Sequence, residues 1–215
     1  MLFLENIWNN AICNIGKYCF FIFLFSLVSC SLRTDEIIER NFDDICLQDG
    51  DLVFRKGKSV TSRLVLAAKK DNNFSHVGIV AKIDNSFKII HCVPDDFENS
   101  DGEEIIKCEN LEKFFSFDNA VTGAVFRLEN FDTISLLASK KAVEFFNQKI
   151  KFDHDLDLKD SSKMYCTELI FCCFNSIGVD ITKGQRTVFP TVKKEFLFPN
   201  DILKNNNFKL IYQFP

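Results

Sequence analysis

The 215-residue chain has few of the residues that mark several common classes of protein. It contains 3 His, 4 Pro, 2 Met and 1 Trp, so a mechanism that needs an imidazole must draw on His76, His91 or His154. No run of Lys or Arg interleaves with aromatic residues, and the formal net charge is -4. Together these features exclude the basic surface that nucleic-acid binding needs. The absence of an internal repeat also excludes a solenoid.

The cysteines lack the spacings of common metal and redox motifs. Nine Cys occur, and no two of them form a CxxC pair. A zinc site of His76, His91 and a cysteine is an alternative that rests on ligand chemistry alone. The spacing of these residues matches no common zinc pattern. No cofactor is therefore expected. Cys172 and Cys173 lie in an apolar stretch, where free Cys behaves as a small hydrophobe, so mostly reduced and buried thiols are predicted.

A short apolar run lies near the N-terminus. It covers residues 18–28, follows Lys17 and is shorter than the roughly 20 residues that span a bilayer. A cation, a short apolar stretch and small residues in that order predict a secretory signal. The run ends in Leu27-Val28-Ser29-Cys30, which resembles the lipobox of bacterial lipoproteins. The resemblance implies a signal peptide over 1–29, a lipidated Cys30 with a linker to 44, and a membrane-anchored protein of the cell envelope, on the periplasmic face or the outer membrane. A buried helix or a simple membrane anchor is the alternative.

Composition predicts one ordinary globular domain after this segment, over residues 45–215. Hydrophobic residues make up 47% and charged residues 26% of the chain, as in typical soluble domains. The 25 Phe are spread at strand and helix spacings, which favours core packing over an aromatic binding platform. The domain is therefore long enough to bury a full core.

The residue pattern predicts strands first and a buried helix late in the chain. A strand follows the turn at 48–51, and a helix capped by Ser59 runs to about 70. Residues 74–93 form a hairpin around Asp84-Asn85, and an acidic loop covers 94–102. Strands follow at 105–107 and 123–128, with a short helix near 111–115 between them. An amphipathic helix covers 132–149, an apolar helix covers 166–176, and a last strand covers 208–214. This order indicates an α+β fold.

Two of the three histidines lie on adjacent strands of the predicted hairpin. His76 and His91 are at comparable distances from the turn, so they are expected close together on the sheet. Two neighbouring imidazoles suggest a base and an orienting residue, although a lone strand histidine is more often structural. His154 lies between Asp153 and Asp155 in a loop and is expected to be solvated or to line the rim of a cleft.

Cys166 opens the apolar helix directly after a polar loop. Unpaired N–H groups and the helix dipole favour a thiolate there and lower its pKa. The same N–H groups can bind an oxyanion. Tyr165 is a candidate for lining the cleft or contributing its hydroxyl to the oxyanion site, with plain packing as the alternative. Glu168 is a candidate for binding a substrate cation, with helix capping as the alternative.

Four segments together resemble a known family. They are Asp49-Gly50-Asp51-Leu52-Val53-Phe54, Ser75-His76-Val77-Gly78-Ile79-Val80, Ile89-Ile90-His91 and Tyr165-Cys166-Thr167-Glu168-Leu169. Their order is similar to that in the circularly permuted NlpC/P60 proteins of the YiiX/YaeF-like group. Phe198-Pro199-Asn200-Asp201-Ile202-Leu203 resembles the closing segment of the same group, so the likeness covers roughly 49–203. It implies a permuted papain-like fold, with the antiparallel sheet or barrel first and the nucleophile helix late.

The resemblance also implies roles for single residues. Cys166 matches the nucleophile, His76 the base and His91 the third, orienting residue, where many relatives have an acidic side chain. The implied reaction is hydrolysis of an amide or ester through an acyl-enzyme, on cell-wall peptides or related amides. Lipid acyl hydrolysis or transfer on the same fold and a non-catalytic lipoprotein that binds peptides or amino acids are the alternatives. The sequence makes no prediction of oligomeric state.

Overall fold

Six antiparallel strands form the central sheet. The protein is described by a computed structural model over residues 40–42, 44–94, 104–189 and 194–215. The sheet strands are β1 (Leu52–Gly57), β2 (His76–Ile83), β3 (Ser86–Cys92), β4 (Ile106–Glu109), β5 (Ala120–Leu128) and β10 (Phe208–Phe214). Their order is β10-β5-β1-β2-β3-β4, and each neighbouring pair is antiparallel.

Five helices and two small strand pairs surround this sheet in the described residues. The helices are α1 (Val60–Ala68), α2 (Leu111–Phe114), α3 (Asp132–Asn147), α4 (Cys166–Asn175) and α5 (Pro199–Leu203). The short strands are β6 (Lys151–Phe152), parallel to β7 (Lys163–Met164), and β8 (Thr187–Phe189), antiparallel to β9 (Lys194–Phe196). The predicted α+β class is confirmed, and the late apolar helix begins at Cys166.

The predicted hairpin is present with the predicted turn. Strands β2 and β3 pair from Ile79↔Ile90 to Ile83↔Ser86. Asp84 and Asn85 both have positive φ, 48° and 63°, as a two-residue type I′ turn requires, and Asn and Asp tolerate that conformation well. The turn therefore fixes the register that brings the two histidine-bearing strand ends together.

The two faces of the sheet bury separate apolar clusters. Leu52, Ile79 and Ile90 face helices α3 and α4. Val53, Val80 and Ile89, one residue along each strand, face the ring pair Phe114 and Phe115 and the aromatic residue Phe214 on the opposite side. Alternation with a period of two explains this division. Because His76 and His91 share the parity of Val80 and Ile89, they lie on the face covered by α2.

The Asp49-Gly50-Asp51 motif is structural. The N–H of Gly50 donates to Val80 O at 2.8 Å, and both oxygens of buried Asp51 accept from the guanidinium of Arg127, at 2.8 and 2.7 Å. Gly50 has φ of +83°, and a Cβ there would lie 2.4 Å from the carbonyl oxygen of Ser135 in α3. The motif thus fastens the start of β1 to its neighbours and lets α3 approach closely.

The predicted signal peptide, the lipidation site Cys30 and most of the linker lie outside the described residues. In the part of the chain that the structure describes, no helix has the length and apolar character needed to cross a membrane. The described residues from Asn41 onward form a single compact unit.

Candidate active site

A line of hydrogen-bonded side chains crosses three strands of the sheet. His76 Nε2 lies 2.8 Å from His91 Nδ1, and His91 Nε2 lies 2.5 Å from Glu109 Oε1. Both imidazoles are buried, and their rings contact the ring of Phe114 with centroids at 5.7 and 5.1 Å. The structure therefore brings the two predicted histidines together and adds a carboxylate behind them.

Glu109 determines where the protons lie along this line. Burial favours its neutral form, but the hydrogen bond from His91 and the positive charges nearby lower the pKa of Glu109 to about 2. An ionised carboxylate only accepts hydrogen bonds, so His91 Nε2 carries a proton. In a neutral imidazole the other nitrogen accepts, so His91 Nδ1 accepts the Nε2 proton of His76. The remaining nitrogen, His76 Nδ1, is thus unprotonated and can accept a proton.

Gly78 makes room for the histidine pair. It lies on the same face of β2 as His76, two residues further along the strand. A Cβ at Gly78 would lie 2.6 Å from Ile89 Cγ2 and 3.1 Å from His91 Cβ, closer than packed carbon atoms allow. The glycine of the His-Val-Gly motif is therefore needed for the close approach of His91 to β2.

Cys166 lines the same cavity as His76. The cavity has a volume of about 410 Å³, and its walls also include Arg55, Tyr165 and Phe152. Helix α4 begins at Cys166, and the backbone N–H groups of Val77 and Thr167 lie where they favour the thiolate form of the sulfur. Among the described residues, His76 and His91 hydrogen-bond along the line to Glu109 and not to the Cys166 thiol. Catalytic hydrogen bonds are often formed only when substrate binds.

The resting side chains are neutral. Burial, followed by the charge of Arg55, lowers the pKa of His76 well below its usual range. Burial raises the pKa of Cys166 to about 11, although the N–H groups of Val77 and Thr167 act in the opposite direction. The expectation that the helix N-terminus lowers this pKa is wrong for the free protein, because desolvation outweighs the helix dipole.

The residues around Cys166 hold its helix in place. The hydroxyl of Tyr165 accepts the N–H of Leu197 at 3.1 Å, and the hydroxyl of Thr167 donates to the carbonyl of the same Leu197 at 2.5 Å. Tyr165 also lines the cavity with its buried side chain. The predicted candidate Tyr165 therefore lies at the site, but its hydroxyl is already bound to the Leu197 backbone.

Glu168 caps the helix from within. Its Oε2 accepts the N–H of Tyr165 at 3.4 Å, which is half of a capping box. The side chain is 1% exposed, and its Oε1 has no hydrogen-bond partner among the described residues. Burial raises the pKa of Glu168 to about 8, so the carboxyl is protonated at neutral pH. Because Glu168 is absent from the cavity wall, it is not positioned to bind a substrate cation.

His154 lies apart from the other two histidines. Its Nε2 is 2.6 Å from Glu104 Oε2, and both side chains are exposed.

No group of three or more His, Cys, Asp or Glu placed to hold a metal ion occurs among the described residues. The six described cysteines are all free.

Sequence reasoning missed two charged residues of the site. Glu109 lies two residues beyond Lys107, the β4 partner of His91, and only the pairing of β3 with β4 reveals it. Arg55 pairs with His76 across β1 and β2, lines the cavity and donates to Phe114 O at 2.7 Å. The sequence did contain a signal for Arg55, because it is a charged residue near the end of a strand that is otherwise apolar.

A family model of permuted papain-like amidase enzymes (YaeF/YiiX, family C92) matches residues 46–212, most of the chain. The chain belongs to this family. The crystal structure of the metalloprotein YiiX from Escherichia coli O157:H7 matches with a TM-score of 0.62 at 14% sequence identity, over 78% of this chain and 97% of that one. At this identity the likeness shows a shared fold. No curated protein sequence matches the chain significantly.

These comparisons confirm the permuted papain-like, YiiX-like resemblance drawn from the motifs. A family of papain-like amidases supports the prediction of a cysteine hydrolase. The name of the Escherichia coli protein describes it as a metalloprotein, whereas the described residues here show no matching cluster of three ligands.

Proposed function

We propose that the chain is a thiol hydrolase of amide or ester bonds, with Cys166 as nucleophile, His76 as base, and His91 and Glu109 as orienting residues. The observation that carries the proposal is the hydrogen-bonded line from Glu109 through His91 to His76, which ends at the cavity that Cys166 also lines. A half-buried carboxylate that stays ionised behind two buried imidazoles needs a reason, since removing a charge from water is costly. Orienting and stabilising a base supplies that reason. Within this proposal the chain is a YaeF/YiiX relative of the NlpC/P60 hydrolases, and α4 is its nucleophile helix.

The reaction follows from the resting protonation states. His76 Nδ1 takes the thiol proton of Cys166 as the sulfur attacks the carbonyl carbon, so an S–C bond forms and the carbonyl oxygen becomes an oxyanion. When the C–N or C–O bond breaks, His76 returns that proton to the leaving amine or alcohol. Water then gives a proton to His76 and attacks the thioester carbon. The C–S bond breaks, the carboxylic acid leaves, and His76 returns the proton to the Cys166 sulfur.

Two groups stabilise the charges that develop. Backbone N–H groups in the first turn of α4, which helical geometry leaves without intrahelical partners, are our candidates for binding the oxyanion. The charge of Glu109, transmitted through His91, stabilises the imidazolium that forms on His76. In this proposal His91 is a neutral orienting residue where many relatives have an acidic side chain, and Glu109 supplies a negative charge behind it.

Replacement of the nucleophile tests the proposal. The full chain and Cys166→Ala would be incubated with p-nitrophenyl acetate, with release of p-nitrophenol and the acetyl adduct followed by mass spectrometry. The wild type is expected to carry one acetyl group on Cys166, and Cys166→Ala to lose at least about a thousandfold in turnover. Cys46→Ala is the control, because Cys46 is an exposed thiol outside the cavity. Unchanged turnover in Cys166→Ala would end the proposal.

A second candidate function is a non-catalytic binding protein that uses the same cavity. The raised pKa of Cys166 favours it, because a depressed thiol pKa is the usual mark of a reactive cysteine. The two functions differ in the role of His76. In an enzyme His76→Ala slows alkylation of Cys166 by iodoacetamide at neutral pH, because the base is lost. In a binding protein the alkylation rate stays the same.

We also propose that the protein is a lipoprotein of the cell envelope, anchored through Cys30. The lipobox-like residues 27–30 support this placement. Expression in a bacterial host followed by membrane fractionation and N-terminal mass analysis tests it. A mature chain that begins at a diacylated Cys30 is expected, and Cys30→Ser should release the protein from the membrane. An unmodified full-length N-terminus would contradict the proposal.

A further inference from the structure

Helix α1 is apolar yet buries none of its residues. Six of its nine residues are hydrophobic (Val60, Leu64, Val65, Leu66, Ala67 and Ala68), but not one of the nine is buried. Val60 is 71% exposed and Leu64 67% exposed. A helix in a protein normally gains most of its stability from packing an apolar face, so this helix presents a face that the described part of the chain does not cover.

Polar contacts at its two ends hold α1 in position instead. Ser59 caps the N-terminus by accepting the N–H of Ser62 at 3.1 Å. At the other end Lys69 Nζ lies 2.6 Å from buried Asp201 Oδ1, and the amide of Asn72 donates to the carbonyl of Val65 at 2.7 Å. The helix is therefore fixed next to α5 while its apolar side chains stay accessible.

The exposed face of α1 continues into the cavity that contains Cys166. Leu64, Val65 and Ala68 line that cavity together with Phe152 and Leu156. The cavity volume of about 410 Å³ lies within the roughly 300–1,000 Å³ typical of small-molecule sites. Only three side chains of its described wall carry a permanent charge: Arg55, Lys58 and Asp118. An apolar wall beside the nucleophile fits an aliphatic chain better than a peptide with several charged groups.

We infer that α1 and the adjoining cavity wall bind an aliphatic chain of the substrate, next to the bond that Cys166 attacks. The inference rests on the proposed function for the identity of the attacked bond, and it names the substrate class as an amide or ester with a long alkyl or acyl chain. Contact between the chain and Leu64, Val65 and Ala68 covers the helix face that the protein leaves open.

Binding to the inactive variant tests the inference separately from turnover. Cys166→Ala would be titrated by calorimetry with two isomers, N-ethyloctanamide and N-octylacetamide, and with N-ethylacetamide, which lacks the chain. Each buried methylene strengthens binding by roughly fourfold, so at least one isomer is expected to bind more than about tenfold tighter than N-ethylacetamide. The tighter isomer identifies the chain as part of the acyl group or of the leaving amine.

Matched substitutions locate the chain. Leu64→Ser, in the Cys166→Ala background, is expected to reduce the preference for the long-chain isomer by about three- to tenfold. Leu137→Ser is the control, because Leu137 is an exposed leucine of α3 outside the cavity wall, and it should leave the preference unchanged. Three results would each overturn the inference: no preference for either long-chain isomer over N-ethylacetamide, an equal effect of the two substitutions, or tighter binding of a γ-glutamyl peptide that has no alkyl chain.

The failures of the two ideas are distinguishable. If wild-type protein turns over p-nitrophenyl acetate through Cys166 but the inactive variant shows no preference for a chain, the inference is wrong and the proposed hydrolase stands. Suppose that Cys166→Ala binds the long-chain isomer more tightly, that Leu64→Ser weakens this binding, and that Cys166→Ala still turns over p-nitrophenyl acetate as fast as wild type. The proposed binding surface then stands and the proposed hydrolase is wrong.

Discussion

Two glutamates near the candidate site, half-buried Glu109 and buried Glu168, have opposite protonation states. Glu109, at the end of β4, receives a hydrogen bond from His91 at 2.5 Å and lies 3.6 Å from Lys113 Nζ, so its pKa is lowered to about 2. Glu168, in the first turn of α4, receives one long hydrogen bond from a backbone N–H, and burial raises its pKa to about 8. The same carboxyl group is thus charged in one region and neutral in the other.

The difference in charge suggests different roles for the two glutamates, Glu109 in the proposed reaction and Glu168 in the stability of helix α4. A carboxylate kept ionised behind two imidazoles can stabilise a proton that moves during the reaction. A carboxyl kept neutral under a helix end can only hold the backbone, since it has no charge to contribute at neutral pH. We therefore expect substitutions along the line from His76 to Glu109 to change activity, and substitutions around Glu168 to change stability.

Among substitutions that leave the nucleophile in place, Gly78→Ala is expected to have the largest effect. The added Cβ would overlap Ile89 and crowd His91, so the two imidazoles cannot keep their 2.8 Å contact. Overpacking of this kind costs about 1–3 kcal/mol in unfolding free energy, and kcat/KM should fall by at least about a hundredfold because the base loses its orientation. Steady-state kinetics and urea unfolding measure the two quantities.

Ile90→Val is the matched control for Gly78→Ala. Ile90 is a buried neighbour on the opposite face of the sheet, and its loss of one methylene costs about 0.5–1.5 kcal/mol. This variant should lose stability but keep its activity. Full activity in Gly78→Ala would show that close approach of His91 to β2 is not needed.

Glu109→Gln is expected to lower kcat by about 10- to 100-fold with little change in KM. The amide oxygen of Gln still accepts the Nε2–H of His91, so geometry is kept while the negative charge is lost. Glu112→Gln is the control, because Glu112 is an exposed carboxylate in the neighbouring helix α2. Equal kcat values in the two variants would place Glu109 among the structural residues.

The sequence revealed the histidine pair but not the carboxylate, for a physical reason. His76 and His91 belong to one hairpin whose turn residues, Asp84 and Asn85, set the register locally. Glu109 reaches His91 only through the pairing of β3 with β4, two strands separated by the acidic segment after Pro94. Long-range pairing of this kind depends on the whole sheet, so the residue pattern alone did not indicate it.

The pKa of Cys166 was mispredicted because two opposing effects act on it. The helix start is visible in the sequence and favours a thiolate. Burial of the thiol depends on how α4 packs against β2, which no local pattern reports, and it is the larger effect. The elements themselves were easier to predict, because apolar periodicity and the caps Ser59 and Asn110 are local features.

Glu168→Gln is expected to change the pH dependence of stability. The folded-state pKa of Glu168, about 8, lies above the roughly 4.3 of an unfolded chain, so the folded protein binds the extra proton between these values. Stability from this group is complete below about pH 4.3 and is lost as the pH rises to 8. Urea unfolding at pH 5 and pH 8 measures this loss. The fall in unfolding free energy between the two pH values should be about 1–2 kcal/mol smaller in Glu168→Gln than in wild type, after allowance for solvent screening.

Glu195→Gln serves as the comparison for Glu168→Gln, since Glu195 is an exposed residue of β9. It should leave the difference between pH 5 and pH 8 as it is in the wild type. A Glu168→Gln protein whose stability changes with pH as steeply as wild type would mean that Glu168 is ionised in the folded chain, and the contrast with Glu109 would disappear.

Tyr165→Phe is expected to have the smallest effect on activity. The change removes the hydroxyl that accepts the N–H of Leu197, so a buried donor loses its partner at a cost of about 1 kcal/mol, while the ring still lines the cavity. Turnover should stay within about threefold of wild type. Tyr212→Phe removes an exposed hydroxyl and should cost less than about 0.5 kcal/mol. If Tyr165→Phe instead lost more than tenfold in kcat at unchanged stability, the hydroxyl would belong to the oxyanion site, and the first turn of α4 would take part in the chemistry.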